Sequence, residues 1–289
     1  MARRAVKASD PVRNLIVVSD THCGCRLGLC PPTPIRLDDG GFYHASEFQR
    51  KVWAFWRDFW DIWVPQVTRG EPWDLVHNGD AIDGTHHGST TQVSQNIEDQ
   101  LTIAEMALRP EVERCKASGG NYWHIRGTEA HVGKSAVYEE QLARRLEAKP
   151  NQVGQSSRQE LWKRVGGDGG PLVHLLHHIG TTGSAAHEAS AVNAELAASY
   201  VEAGRWRREP PDYVVRSHRH RSIGVELDSA KGYAAALVTP AWQGKTPFVY
   251  RVPGGRLQEP QFGGLIIRRG DEEFYHRRKV WSMDRAPEE

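Results

Sequence analysis

Residues 14–25 read Asn14-Leu-Ile-Val-Val-Ser-Asp-Thr-His-Cys-Gly-Cys25. The run Asn14–Val18 is short, apolar and rich in β-branched residues, the pattern of a buried strand that delivers Asp20 at its C-terminal tip. Two kinds of metal site are written into this stretch and its continuation. Cys23, Cys25 and Cys30 suggest a structural zinc knuckle, whereas Asp20 and His22 suggest an open, catalytic centre. The residues downstream separate the alternatives.

The same arrangement recurs. Trp73-Asp-Leu-Val-His77 is a second short strand and runs into Asn78-Gly-Asp-Ala-Ile-Asp83. Asn121–Ile125 is a third, ending at Arg126-Gly-Thr-Glu-Ala-His131. Leu172–Leu176 is a fourth, closed by His177-His178, and Asp212–Val215 leads to Ser217-His-Arg-His220. Helices are predicted over 46–64, about 91–116, 134–148 and roughly 184–204, and residues 23–44 form a long loop rich in Gly, Pro and Asp. Trp53, Trp56, Trp60 and Trp63 share one face of the first helix and are assigned to core packing rather than to base stacking. Beyond residue 220 the pattern changes to consecutive strands at 222–228, 232–239 and two within 262–280. Strands alternating with helices, then a run of strands, indicate a mixed α/β sandwich in one domain.

Ligand-type residues at strand ends are physically sensible, because the sheet fixes the backbone while loops let side chains converge at one edge. Singly, each piece is common; a lone histidine on an apolar strand, such as His174, is better read as a satisfied core residue. Five pieces, each closing a predicted strand, are hard to attribute to chance. A donor set of carboxylates and imidazoles, with no thiolate needed, suits a pair of divalent ions such as Mn, Fe, Zn, Ni or Co. In an extended His218-x-His220 both side chains point to one face, and Asp20-x-His22 behaves likewise. A carboxylate can bridge two metals about 3.5–4 Å apart, the geometry that activates a water for in-line attack on phosphorus.

In this order, Asp20-x-His22, Gly79-Asp80-x-x-Asp83, a Gly-initiated His loop, a strand-end His and His218-x-His220 resemble the calcineurin-like metallophosphoesterase superfamily over about residues 14–240. The resemblance implies an α/β fold, a four-layer α/β/β/α sandwich of mixed sheets, with a two-metal site at the strand ends. It would place Asp20, His22 and His220 on the first metal, Asp80 as the bridge, and His177 and His218 on the second. Asp83 would orient a neighbouring histidine. Gly28-Leu-Cys-Pro-Pro32 and Gly-Thr-Glu-Ala-His-Val-Gly133 are also similar to phosphoesterases of phage and prophage genomes. The implied cofactors are two divalent metal ions, Mn favoured over Fe, Zn or Ni.

The chain departs from the family at its third motif, Gly-Asn-His-Asp/Glu, where it has Gly127-Thr-Glu-Ala-His131. Glu129 is preferred as the oxygen ligand in place of the Asn, with Thr128 the alternative. His131 is the only imidazole on that loop and is assigned as the general acid, a role suited to a pKa near the working pH. His177 is preferred to His178, since adjacent strand residues face opposite ways. Arg126 and Arg219 are candidate phosphate contacts or, equally, structural arginines. The cysteines find no fourth partner at zinc-site spacing and are expected to be reduced thiols in a substrate-facing loop.

The function expected is hydrolysis of a phosphomono- or phosphodiester by a metal-bridged hydroxide. The alternative is a phosphoesterase-like scaffold that binds metal or a partner without turnover. With 37 basic and 36 acidic residues the net charge is +1, which favours a nucleotide or single-stranded nucleic acid over long duplex DNA as the phosphate-ester partner. The Arg205-Trp-Arg-Arg208 run is assigned to a solvated helix end rather than a nucleic-acid guide. No stretch approaches the ~18 apolar residues of a membrane span. The basic start has no apolar stretch behind it, so it is not a secretory signal. Four cysteines in 289 residues do not make a secreted disulfide framework. A soluble, cytoplasmic protein is expected, a single domain over 1–289 with a metal-motif core at about 14–240 and C-terminal strands at about 222–280.

Overall fold

The computed structural model describes residues 11–86, 88–180, 185–252, 255 and 258–283. In chain order its strands are β1 (Asn14–Val18), β2 (Ile35–Arg36), β3 (Phe42–Tyr43), β4 (Trp73–Asn78), β5 (Tyr122–Ile125), β6 (Ser157–Arg158), β7 (Glu160–Arg164), β8 (Leu172–Leu176), β9 (Tyr213–Arg216), β10 (Ile223–Ser229), β11 (Gly232–Val238), β12 (Gln261–Arg269) and β13 (Phe274–Ser282). The α-helices are α1 (Glu47–Asp58), α2 (Val64–Thr68), α3 (Ile97–Ala117), α4 (Glu129–Val132), α5 (Val137–Arg145) and α6 (Glu188–Arg205).

A six-stranded sheet runs β13-β12-β1-β4-β5-β6 and a five-stranded sheet runs β10-β11-β9-β8-β7. Strands β1, β4 and β5 are mutually parallel, as are β8 and β9. Parallel neighbours end at the same edge, so the loops after β1, β4 and β5 emerge together, the place where open α/β sheets put their sites. Strand β12 pairs antiparallel with β1, from Asn14 opposite Arg268 to Val17 opposite Leu265. The C-terminal strands thereby complete the sheet that the N-terminal strand begins.

Alternation along β1 divides the core. Leu15 and Val17 pack with Val173, Leu175, Val215 and Leu237 of the other sheet. Ile16 and Val18 pack with Val52, Trp56 and Trp60 of the first helical segment and with Leu101 and Leu108 of α3. A third apolar cluster joins Val192 and Leu196 of α6 to Val214, Ala234 and Ala236. Trp56 and Trp60 are fully buried, and Trp53 and Trp63 pack partly buried against the same core, as the helical spacing requires.

The first predicted helix is one segment with a changed pitch. Ser46 and Gln49 form a reciprocal capping box at its start. A π-helical turn, Phe59–Trp63, then leads into Pro65, which has no N–H to continue the ladder. The second predicted helix begins later, at Ile97, after the Asn96 cap. The third is shorter, and its predicted first turn is a 3-10 turn with Ser135 in a left-handed conformation. The predicted start of the fourth, residue 184, and the basic first ten residues lie outside the described residues. The expected loop 23–44 contains the two-residue strands β2 and β3, too short to leave a periodic signal, and β7, Glu160-Leu-Trp-Lys-Arg164, carries too few apolar residues to read as a strand from sequence, as does the two-residue β6.

His174 finds a partner, as expected of it, but at a partly exposed position. Its Nε2 lies 3.1 Å from Glu160 Oε2 and its ring stacks on Trp162 at 4.1 Å. Among the described residues no helix is long and apolar enough to cross a membrane.

Candidate metal centre

The loop after β1 continues beside the loop after β4. Asp20 N–H donates to Gly79 O at 2.9 Å, His22 N–H to Asp80 O at 3.1 Å and Cys23 N–H to Ala81 O at 2.9 Å. Two more loops close on it: Ser217 N–H donates to His177 O at 2.8 Å and Trp242 N–H to Asp20 O at 2.9 Å. Asn78, the last residue of β4, joins the two sheets by donating to Leu176 O at 3.2 Å and to Ser217 Oγ at 2.6 Å.

These contacts bring together all six residues singled out as ligands. Asp20, His22 and His220 form one group whose donor atoms lie within 4.8 Å of one another, and Asp80, His177 and His218 form a second. Asp80 also groups with His22 and His131, so it lies between the two ends. His177 Nε2 is 3.0 Å from Asp80 Oδ2, His220 Nε2 is 3.3 Å from Asp20 Oδ1, and the Nε2 atoms of His22 and His220 are 3.1 Å apart.

The backbone converges by a different route from the extended one that spacing suggested. Asp20, His22, Asp80, His218 and His220 have φ of 51°, 40°, 55°, 70° and 54°, so five of the six sit in the left-handed region. Such conformations cost of order 1–3 kcal/mol each and persist only where the surroundings impose them. The side chains meet through tight turns beyond the strand ends, not by alternation within a strand. Gly79, at φ +91°, lets the loop pass under His177, whose Nδ1 would lie 2.4 Å from an added Cβ.

The donor atoms are placed to hold metal ions. The buried Asp20 Oδ1 has no hydrogen-bond donor. His177 Nδ1–H donates to Asn78 O at 2.7 Å, which leaves Nε2 as the ligating nitrogen. Asp83 Oδ1 faces His22 Nδ1 at 3.4 Å and leaves Nε2 of that ring for the cluster. Asp83 is itself held by Gln92 Nε2 at 2.9 Å and Gln243 Nε2 at 3.1 Å. These buried His/Asp groups are able to hold metal ions.

The charges agree. Burial alone would raise the Asp20 carboxyl, but the contact with His220 and the charge of His177 bring it down to about 2. Asp80 is likewise lowered despite burial, chiefly by His177 and His131. Burial opposes protonation of His177, yet the Asp80 carboxylate raises it to about 10. Burial and the neighbouring His177 lower His218 to about 4. The carboxylates are thus held ionised, and positive charge is drawn into their midst.

At the third loop the structure favours Thr128 over the preferred Glu129. Thr128 Oγ1 lies 3.0 Å from His218 Nδ1, 3.1 Å from Asp80 Oδ2 and 3.4 Å from His177 Nε2, and its N–H donates to Asp80 Oδ1 at 2.6 Å. Glu129 is exposed on the first turn of α4. His131 follows on that helix with its ring 4.6 Å from His22, and its Nδ1–H donates to Asp83 O at 2.6 Å. Burial pushes this imidazole down to about 4, so a pKa near the working pH is not a property of the site itself. His178 is exposed and outside both groups, 5.0 Å ring to ring from the buried His177.

Arg126 is a structural arginine, donating to Ser157 Oγ at 2.9 Å, and Arg219 Nη1 donates to Glu188 O at 2.9 Å. Arg205 and Trp206 both bind Glu202 at the end of α6. The cysteines do not line an open surface. Cys23, Cys25 and Cys30 are free thiols and fully buried, because this loop pairs with Ile82 and Gln92 through isolated bridges. Burial pushes the Cys25 thiol up to about 11 and that of Cys30 to about 12.

Gln92, Gln243 and His86, which is 3.6 Å from Asp83 Oδ2, join the site without any sequence signal. Glu139 did carry one: it shares the buried side of α5 with Leu142 and Ala143 at i, i+3 and i+4, an unusual place for a carboxylate.

No family model and no curated protein sequence matches the chain. Among solved structures it is similar to vacuolar protein sorting 29 from Cryptosporidium parvum, with TM-score 0.34 and 10% identity over 95% of this chain and 100% of that one. It is similar also to a Thermotoga maritima protein solved by NMR, with TM-score 0.35 and 10% identity over 94% of this chain and 100% of that one. Likeness at this level is loose, and the site stands on its own geometry.

Proposed function

We propose that this chain is a calcineurin-like metallophosphoesterase, a metal-dependent hydrolase of phosphomono- or phosphodiesters built as a four-layer α/β/β/α sandwich in one domain. The observation that carries the reading is the meeting of Asp20, His22, Asp80, His177, His218 and His220 in two adjoining groups with Asp80 between them. The layering is supported by the three apolar clusters, and the single domain by the pairing of β12 with β1.

Asp20, His22 and His220 would hold one divalent ion, His177 and His218 the other, with Asp80 shared and Thr128 Oγ1 beside the second. When bound, such a pair lowers the pKa of water and polarises phosphoryl oxygens. Asp83 sets the His22 ring, and the Asn78 carbonyl sets the His177 ring. His131, fixed through Nδ1, keeps Nε2 to hand a proton to the departing alkoxide, and a phosphate oxygen beside it would supply the negative charge that holds that proton. The near-zero net charge supports a nucleotide or single-stranded substrate, and Mn is the first metal to try.

Hydrolysis of p-nitrophenyl and bis-p-nitrophenyl phosphate with Mn²⁺, alongside elemental analysis, tests the proposal. Metal-dependent release of nitrophenolate is expected. His131→Ala should depress turnover of an ester with a poor leaving group more than that of a nitrophenyl ester. A metal-loaded protein with no turnover on either ester class would make the chain a metal-binding scaffold, the reading that the missing asparagine of the third motif motivates.

A further inference from the structure

Beneath the metal groups lies a second, wholly buried polar layer. Glu139 is inaccessible to solvent, and each of its oxygens accepts one backbone N–H: Oε1 from Ala81 at 3.0 Å and Oε2 from Gly127 at 2.6 Å. Ala81 follows Asp80, and Gly127 precedes Thr128. One carboxylate therefore spans the loops after β4 and β5 at the residues adjoining the shared ligand and the hydroxyl beside it.

The layer is closed from behind. His124 Nε2 lies 3.6 Å from Glu139 Oε1, and its Nδ1 is 2.6 Å from the Tyr122 hydroxyl. The His124 ring stacks on His77 at 5.1 Å, and His77 Nε2 is 3.2 Å from Thr21 Oγ1. Thr21, between Asp20 and His22, donates its hydroxyl proton to Ala81 O at 2.9 Å. Both polar groups of the Ala81 backbone are thus pinned, one by Glu139 and one by Thr21. Each oxygen of Glu139 accepts from a backbone donor, so a glutamine here must turn its N–H₂ toward one of those two donors.

We propose that Glu139 is a positioning residue of the metal centre, locking the Asp80 and Thr128 loops at the separation the second ion requires; this rests on the metallophosphoesterase reading. Groups that orient ligands without touching the metal are worth about 10–100-fold in metal affinity.

Calorimetric titration of the metal-free full chain with Mn²⁺ tests this. Glu139→Gln should bind at least one equivalent about tenfold more weakly than wild type, with kcat restored to within about threefold by excess Mn²⁺. Glu111→Gln is the control for losing a buried carboxylate, since Glu111 sits on α3 bound to Arg57 and Arg114. Wild-type Mn²⁺ affinity in a folded Glu139→Gln protein, or an equal loss in Glu111→Gln, overturns the proposal. Should Glu139→Gln not fold, amide exchange in the wild type decides. The Ala81 and Gly127 protons should be protected, and exchange as fast as that of surface-loop amides overturns the clamp. A wild type that binds Mn²⁺ but hydrolyses no ester sinks the phosphoesterase reading and leaves the titration to judge Glu139; one that binds no Mn²⁺ sinks both.

Discussion

His177 Nε2 lies 3.0 Å from Asp80 Oδ2, and neither side chain is exposed to solvent. A buried ion pair of this kind is strongly destabilised when one member is removed. Asp80→Asn should therefore cost the metal-free protein about 3–5 kcal/mol in denaturant unfolding. It should also lower Mn²⁺ stoichiometry in elemental analysis and reduce phosphoesterase turnover at least about 100-fold. A folded Asp80→Asn protein that retains two ions would rule out the shared-ligand role.

Thr128 and Glu129 can be told apart by substitution. Thr128→Val keeps the shape and removes Oγ1 from its place 3.0 Å from His218 Nδ1. It should weaken Mn²⁺ binding about tenfold. Glu129→Gln, at an exposed position, should change it less than about twofold. The reverse order in a Mn²⁺ titration would restore Glu129 as the ligand.

Gly79 combines φ +91° with the close approach to His177 Nδ1. Gly79→Ala should lower stability by about 2 kcal/mol or more, from left-handed strain plus displacement of the imidazole. Metal affinity should fall with it. Equal melting temperatures for Gly79→Ala and wild type would contradict the packing described.

Glu140 gives the pH dependence. Burial raises its carboxyl, but hydrogen bonds from the Ser157 and Ser156 backbone and the Ser157 hydroxyl bring it from 4.5 down to about 2. A folded-state pKa below the unfolded one contributes stability that is fully present above 4.5 and is lost as pH falls toward 2. Glu140→Gln should thus be less stable than wild type at pH 7, by about 1–2 kcal/mol. The gap should shrink as the pH of urea unfolding is lowered from 4.5 to 2.5. A gap that stays constant with pH would exclude the carboxylate as its cause.

All four cysteines are buried free thiols. A thiol reagent such as dithiobis-nitrobenzoate should find none of them in the native protein and all of them in guanidinium. Cys23→Ala, Cys25→Ala and Cys30→Ala together should leave Mn²⁺ stoichiometry unchanged, whereas the serine counterparts should cost about 1–3 kcal/mol each for a buried hydroxyl. Loss of both metals in the alanine triple variant would revive a thiolate site.

Local sequence determined where the ligand-type residues stand and in what order. Asn14–Val18, Trp73–Asn78 and Leu172–Leu176 carry their strand signal in a few adjacent residues, and each ends where its ligands begin. The side of a helix that Glu139 occupies was legible too, because α-helical periodicity is local. What only tertiary structure decided is which atoms face each other. The left-handed turns at Asp20, Asp80 and His218 suit residue types that tolerate positive φ, and loop-to-loop hydrogen bonds at Asp20 and Asp80 and the His218 N–H bond to Asp20 Oδ2 fix them in place. Thr128 rather than Glu129 enters the cluster because its N–H docks on Asp80 before α4 begins. The cysteines turn inward because their loop zips onto residues about 60 positions away. Each of these outcomes depends on partners that no window of the chain contains.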